Sequence, residues 1–527
     1  MKIAISQLNP CVGDLEGNFG KILDAANLAY AREAEVLVVP AYALTGAPLD
    51  GLMDSDAFLD DCANYIDRLG AEAPITVLLG SLSPFATEDG VALSLPELFA
   101  LGEGNAQTFG VPMTEPDTVP LYDDKGLRIG IALDDHFMGS ASLPDGGLDV
   151  LVELAADDAG DTGSAPVAWG MLDRQKEVAR ANHAWFVSVN LCGAADDIVF
   201  AGNSLVITPE GELLHASPLD EEDFFVFDTS QHPAETPIRP VMLQLSSDEI
   251  IWTMLKTGTR DYILKNKFTD VVLGISGGID SAVVSTLAVD ALGPEHVHGV
   301  LMPSQYSSDG SITDAEQLAE NLGIETVTLP ISVPFEAFKE VLGEACGGEV
   351  TGVTSENLQA RIRCLYLMAP SNAHGWIVLN TGNKSESAMG FSTLYGDTVG
   401  AYAPIGDVYK TEVYRLARWR NTVSPVIPEA CITKAPSAEL YEGAKDQDRL
   451  PPYDALDSLL FDHIEGNLGA GALREAGHAP ELVEEVLPKV QANEYKRRLE
   501  PMAPAVSMCL LNDERNWPIT NGWVDHS

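Results

Sequence analysis

Basic residues are scarce in this chain: Lys and Arg total 31 against 79 Asp and Glu, a formal net charge of −48 over 527 residues. A field of that sign repels nucleic acid and acidic membrane surfaces, so neither is an expected partner. The excess is read as a solvated acidic shell suited to high salt, which screens its self-repulsion. The shortage is uneven. Residues 1–240 hold 10 basic and 40 acidic residues, whereas residues 241–527 hold 21 and 39. A ligand carrying phosphates needs local cations, and the second half has twice as many. Long apolar runs are absent too; none reaches the ~18 residues of a membrane span. The opening Met1-Lys2-Ile3-Ala4-Ile5-Ser6 reads as a strand, not a signal peptide, so the expected location is the cytoplasm. The seven cysteines are scattered and form no CxxC pair, which suggests neither a zinc site nor a disulfide framework. None lies between Cys62 and Cys192, and no lysine lies between Lys21 and Lys125.

What is present is a double alternation of short apolar runs with helix-like stretches. In the first half the runs are Glu35–Val39, Ile75–Leu79, Arg128–Ala132 and Trp185–Val189. In the second they are Asp270–Ile275, Val297–Met302, Glu325–Leu329 and Trp376–Asn380. Both patterns read as α/β domains. The proline-bearing stretch from Pro233 to Pro240 reads as the linker, giving domains at 1–240 and 241–527.

The chemistry-bearing segment is a glycine turn. The apolar run Val271-Val272-Leu273-Gly274-Ile275 enters Ser276-Gly277-Gly278-Ile279-Asp280-Ser281 and then an apolar helix from Ala282. Glycines allow close backbone approach to a ligand, and the helix start presents free N–H groups to an anion. Ser276 and Ser281 add hydroxyls, and Asp280 can hold magnesium. The loop lacks the lysine of a GxxxxGK[ST] motif, which suits holding a departing pyrophosphate. The bland reading, a turn between strand and helix, is weakened by the order strand, loop, helix.

This loop resembles that of the ATP-pyrophosphatases, and the rest of the second half resembles NAD synthetase. The resemblance rests on motifs in order: Leu301–Ser308, Glu356–Arg363 (ENLQARIR), Thr381–Glu386 (TGNKSE), Thr393–Asp397, Lys410–Tyr414, Pro436–Leu440, Asp446–Asp448 and Tyr495–Arg498. It implies that deamido-NAD is adenylated by ATP on its nicotinate carboxylate and amidated to NAD, releasing AMP and pyrophosphate. It implies that Gly274, Ile275, Ser276, Gly277, Gly278, Ile279, Asp280, Ser281, Thr381, Lys410 and Ser437 hold ATP. Asn357, Arg361, Glu386 and Lys496 would hold deamido-NAD, and Asp280 and Glu386 a Mg2+ ion. Bland alternatives stand beside these. Arg363 could be a surface ion pair, Lys384 and Arg497 could be solvated faces, and Thr381 could be a helix cap. The deamidated mononucleotide is an alternative acceptor.

The first half resembles the nitrilase-type glutaminase joined to such synthetases, through Gln7–Asn18, Val189–Gly193 and Phe200–Ser204. The implied fold is an α-β-β-α sandwich. The implied chemistry needs a glutamate base, a lysine and a cysteine nucleophile. Ala41 stands in the glutamate's place in Pro40–Gly46, and Asp134, or with a one-residue slip Leu133 or Asp135, in the cysteine's. The lysine falls in the lysine-free stretch. Cys192 beside Asn190, with His183 and His215 elsewhere, offers a conceivable Cys–His pair, although a buried thiol is more usual. The expectation is an inert first domain serving packing in a homo-oligomer, a dimer or larger, with free ammonia as nitrogen donor. The alternative is glutamine, used through an unrecognised or a separate glutaminase.

Overall fold

A computed structural model describes the chain except residues 87–91, 111–118, 125, 134–146, 159–164, 232–244, 512–513, 524 and 526–527. It divides into two units, Met1–Ser247 and Asp248–Ser527. The expected linker Pro233–Pro240 lies outside the described residues, as does the expected boundary.

The first unit is built on two six-stranded sheets. One has the order β14 (Asp223–Asp228), β1 (Lys2–Gln7), β2 (Val36–Ala41), β3 (Thr76–Ala86), β4 (Ala92–Gly102), β5 (Asn105–Gly110). The other runs β13 (Leu213–Ala216), β12 (Leu205–Ile207), β9 (Trp185–Val189), β8 (Val150–Leu154), β7 (Leu127–Leu133), β6 (Leu121–Asp124). A two-residue hairpin, β10 (Ala194–Ala195) and β11 (Ile198–Val199), stands apart.

Period-two alternation sorts each strand between two cores. Ile3, Ile5, Val36 and Val38 face Val150, Val152, Val187 and Val189 between the sheets. The intervening Ala4, Leu37 and Val39 pack outward on Phe19 and Ile22 of the helix Leu15–Ala31. On the far side Leu151 and Phe186 meet Leu172 and Ala179 of the helix Ala165–Asn182. The layers are therefore helix, sheet, sheet, helix, as the resemblance implies. Strands covered on both faces are largely apolar, which is why β2 and β9 are legible as runs. The antiparallel addition of β4 and β5 to β3 carries no such run and was not anticipated.

The second unit has a four-stranded parallel sheet, β17 (Glu325–Thr328), β16 (Val297–Leu301), β15 (Val271–Gly274), β18 (Ile377–Val378). Helices Ile279–Leu292 and Asp309–Leu322 follow β15 and β16. A helical cluster with Leu456, Leu459 and Val486 at its centre packs on the short helix Lys384–Met389 through Ala388 and Met389. Open parallel sheets bind ligands beyond the carboxyl ends of their strands, and that is where the loop after β15 lies. No helix among the described residues is long and apolar enough to cross a membrane.

Candidate active site

The loop leaves β15 through Ile275 and turns at Gly277, whose φ is +76°. A Cβ there would stand 2.2 Å from the Ser311 carbonyl oxygen, so both the left-handed backbone and the space demand glycine. Gly278 is the N-cap of the helix Ile279–Leu292 and offers no capping side chain. The first turn is left open for an anion. Ser281 Oγ braces the loop by donating to the Gly278 carbonyl (3.1 Å) and accepting from the Ser276 amide (3.2 Å).

Lys410, at the start of the helix Lys410–Val423, is 1% exposed. Its Nζ donates to Asp280 Oδ2 at 2.5 Å and Glu386 Oε1 at 3.3 Å. Burial opposes the charge on Lys410, but Asp280, Glu386 and Asp446 outweigh it and raise the pKa above the ordinary lysine value. For Glu386 burial dominates, and with Asp280 and Asp446 it pushes the carboxyl up to about 8 against the pull of Lys410. Asn383 Nδ2 donates to Asp280 Oδ1 (3.0 Å), while Asn383 Oδ1 accepts from the Glu386 amide (3.0 Å). One asparagine thus fixes the Asp280 carboxylate and the backbone amide of Glu386.

These groups line a cavity of about 400 Å³ that also takes in Thr381 and Ser437. A second cavity of about 180 Å³ contains Asn357 and Lys496. Phe391, Asp397 and Asp446 line both. Lys496 Nζ donates to the carbonyls of Gly390 (2.7 Å) and Ser392 (2.8 Å), and Asn357 Oδ1 accepts from Thr393 Oγ1 (2.8 Å). Glu386 lies with the loop.

The other named residues fall in different places. Arg361 lies in neither cavity; it is exposed, with Nε donating to the Leu394 carbonyl at 3.2 Å. Arg363 lines the larger cavity. Residues two apart on a helix point in different directions, and the motif alone does not say which faces inward. Lys384 and Arg497 are not solvated. Lys384 is 0% exposed, against Asp407 (2.9 Å) and Glu465 (2.6 Å), and Arg497 is 3% exposed against Glu494 (2.8 Å). The helix cap is Asn383, not Thr381. The preference of Asn for N-cap positions could have found it. Glu439, unassigned in its motif, lines the larger cavity and accepts from Ser308 Oγ (2.9 Å) and Ser311 Oγ (2.8 Å).

In the first unit the register of β2 on β3 shifts after Val38, and Ala41 pairs with Gly80. Ala41 is 1% exposed. Leu133 Cδ2 lies 2.6 Å, and Ala41 Cα 3.4 Å, from where a Gly80 Cβ would stand. Leu133 and Ala41 thus both border Gly80, and the place expected for the glutamate carries only a buried methyl group. Asp134, Asp135 and Lys125 lie outside the described residues. Cys192 is buried, and His215 is engaged with Asp223 Oδ2 (2.7 Å).

Residues 251–500 match the family model described as NAD synthase. A glutamine-dependent NAD(+) synthetase of Thermotoga maritima is 35% identical over 99% of this chain and 98% of its own. The structure of a glutamine-dependent NAD+ synthetase from Acinetobacter baumannii, in complex with adenosine diphosphate, is similar with a TM-score of 0.74 and 30% identity, covering 100% and 99% of the two chains. One from Cytophaga hutchinsonii shares the fold with a TM-score of 0.81 at 19% identity, covering 99% and 98%. With likeness of this order along its whole length, the chain belongs to the NAD synthetase family.

Proposed function

We propose that the second unit adenylates the nicotinate carboxylate of deamido-NAD with ATP and amidates it to NAD. A carboxylate oxygen attacks the α-phosphorus, the bond from that phosphorus to the bridging oxygen breaks, and pyrophosphate leaves. The ammonia nitrogen then attacks the acyl carbon, the bond to AMP breaks, and a proton is shed to water. The observation that carries this reading is the union, in one cavity, of the open loop 275–278 with Lys410, Thr381 and Ser437, adjoining a second cavity that holds Asn357 and Lys496. The ADP bound by the A. baumannii relative supports a nucleotide in the larger one.

Asp280 and Glu386 are the residues that would hold Mg2+. Their oxygens converge on one point, within 3.3 Å of a single ammonium. Mg2+ takes one or two protein carboxylates and completes its shell with phosphates and water. No set of three or more His, Cys, Asp and Glu side chains able to hold a metal is present among the described residues. The ion supplies charge neutralisation on the phosphates.

The relatives' names favour glutamine over the free ammonia expected from the sequence. Ala41, buried in the place expected for the glutamate, is what stands against the first unit hydrolysing it by the family triad. We therefore propose that ammonia is the species reaching the acyl-adenylate, and that glutamine serves through another site in the chain or a separate glutaminase. The test is to give the purified full chain ATP, Mg2+ and deamido-NAD with either ammonium or glutamine, and to follow NAD and glutamate. NAD from ammonium is expected, and glutamate release from glutamine decides between a site in the chain and a separate glutaminase. Glutamate formed by the chain alone would show a working site in the first unit, and NAD from neither donor would overturn the synthetase reading. The deamidated mononucleotide, run as acceptor beside deamido-NAD, decides between the two substrates.

A further inference from the structure

Arg363 is a cation that the scheme above leaves without a task. It lies in the helix Gly352–His374 and lines the larger cavity. Among the described residues its guanidinium makes one hydrogen bond, from Nε to the Met302 carbonyl at 3.3 Å, and no carboxylate comes within ion-pair distance. Lys410 by contrast is met by two carboxylates. Burial holds the Arg363 pKa down to about 10, against the attraction of Asp397 and Glu439. A half-buried guanidinium with most of its donors uncommitted suits an anion that fills the gap.

It shares the lining of the larger cavity with Asp397 and Glu439. Asp397 lines both cavities and so belongs to their common wall. Glu439 reaches the other way. Its carboxylate accepts from Ser308 Oγ and Ser311 Oγ, and Ser311 is the residue whose carbonyl backs onto Gly277 of the phosphate loop. Arg363 therefore lines one cavity together with the phosphate loop and the wall shared with the dinucleotide cavity. The group common to both substrates during the reaction is the α-phosphate, first in ATP and then bridging adenosine and nicotinate in the acyl-adenylate.

We infer that Arg363 contacts this α-phosphate and bears the charge that develops on it, making it a catalytic residue for adenylation. This rests on the proposed ATP chemistry. A donor pair aimed at a transition-state charge contributes on the order of 100-fold or more in rate. The planar fork binds phosphate bidentately, which a lysine cannot reproduce.

The test uses the full chain and isolates adenylation: exchange of labelled pyrophosphate into ATP, dependent on deamido-NAD, without any nitrogen donor. R363Q is expected to lose about 100-fold in exchange rate at saturating substrates while keeping its melting temperature. R363K, which keeps the charge, is expected to fall between it and the wild type, about 10-fold down. Wild-type exchange in folded R363Q overturns the inference. If R363Q does not fold, R363K carries the test, and a wild-type rate there overturns it equally. Absence of exchange in the unmodified chain would instead sink the synthetase reading and is distinguishable for that reason.

Discussion

Replacing Lys384 by Met should destabilise the second unit severely, although Lys384 faces neither cavity. Its Nζ is 0% exposed and contacts Asp407 (2.9 Å), Glu465 (2.6 Å), Ser507 Oγ (2.6 Å) and the Cys509 carbonyl (2.8 Å). Burial opposes its charge, but the two carboxylates outweigh burial and raise its pKa. Removing the ammonium leaves both carboxylates buried without a counter-charge, and breaking a buried pair by deleting one partner costs about 3–5 kcal/mol. The damage should spread. Asp407 also accepts from the amides of Val506 (2.9 Å) and Ser507 (2.8 Å), which fasten the C-terminal segment. Ser385, next along the helix, accepts from the Lys410 amide (2.9 Å), so the frame around Glu386 loosens with it. Urea unfolding followed by tryptophan fluorescence suits the measurement, since five of the seven tryptophans lie in this unit. A loss below about 1 kcal/mol would refute the reasoning, because only an exposed pair is worth so little.

Asp280→Ala should abolish Mg2+-dependent pyrophosphate release while the chain stays folded; near-normal release would remove Asp280 from the site. Molar salt should raise the melting temperature above that in dilute buffer, since −48 is self-repelling and screening relieves it; an unchanged melting temperature counts against the acidic-shell reading. His463 should drain stability on acidification. Its Nδ1 donates to the Leu468 carbonyl (2.8 Å) and its Nε2 faces Arg515 (3.2 Å), and burial above all lowers its pKa from 6.5 to about 4. The folded state then binds fewer protons than the unfolded one between these values, so stability present above pH 6.5 falls as pH drops, by about 2 kcal/mol at pH 5. His463→Gln should lack this component in a comparison of urea midpoints at pH 7.5 and 5; an identical pH dependence would exclude it.

The readable parts of this protein are those in which one local rule decides. Val271–Leu273 is buried on both faces, and Gly277 in the turn beyond it must be a glycine, so strand, turn and helix stand in the sequence in order. The choice between Arg361 and Arg363 was not decidable in that way. Both sit in one helical motif, and only the packing of Ile362 against Ile331 and Phe335, far off in the chain, turns one inward. Lys384 misled for a related reason. A lysine is rarely buried unpaired, and its partners Asp407 and Glu465 are 23 and 81 residues away, beyond any local pattern. The β4–β5 addition was missed because β4 contains Pro96 and Glu97 within its run, which blunts the strand signal.

The charge around the larger cavity bears on how it admits ATP. Its charged lining comprises the cations Arg363, Lys410 and Lys434 against the carboxylates Asp280, Glu386, Asp397, Glu439, Asp446 and Glu500. Lys410 is already shared by Asp280 and Glu386, and Lys434 is held by Asp314 at 2.9 Å. Bare ATP therefore meets a wall of its own sign, inside a chain that is acidic overall. Two results follow from that balance. Nucleotide should enter as a metal complex, because the ion neutralises phosphate charge and relieves Asp280 and Glu386 together. Metal-free ATP should bind at least about 10-fold more weakly, since one ill-compensated charge of this kind is worth roughly 1.4 kcal/mol or more. Calorimetric titration of ATP with and without EDTA reads the difference directly. Equal affinity in the two would mean that the local cations suffice, and would return Asp280 and Glu386 to the role of counter-charges for Lys410.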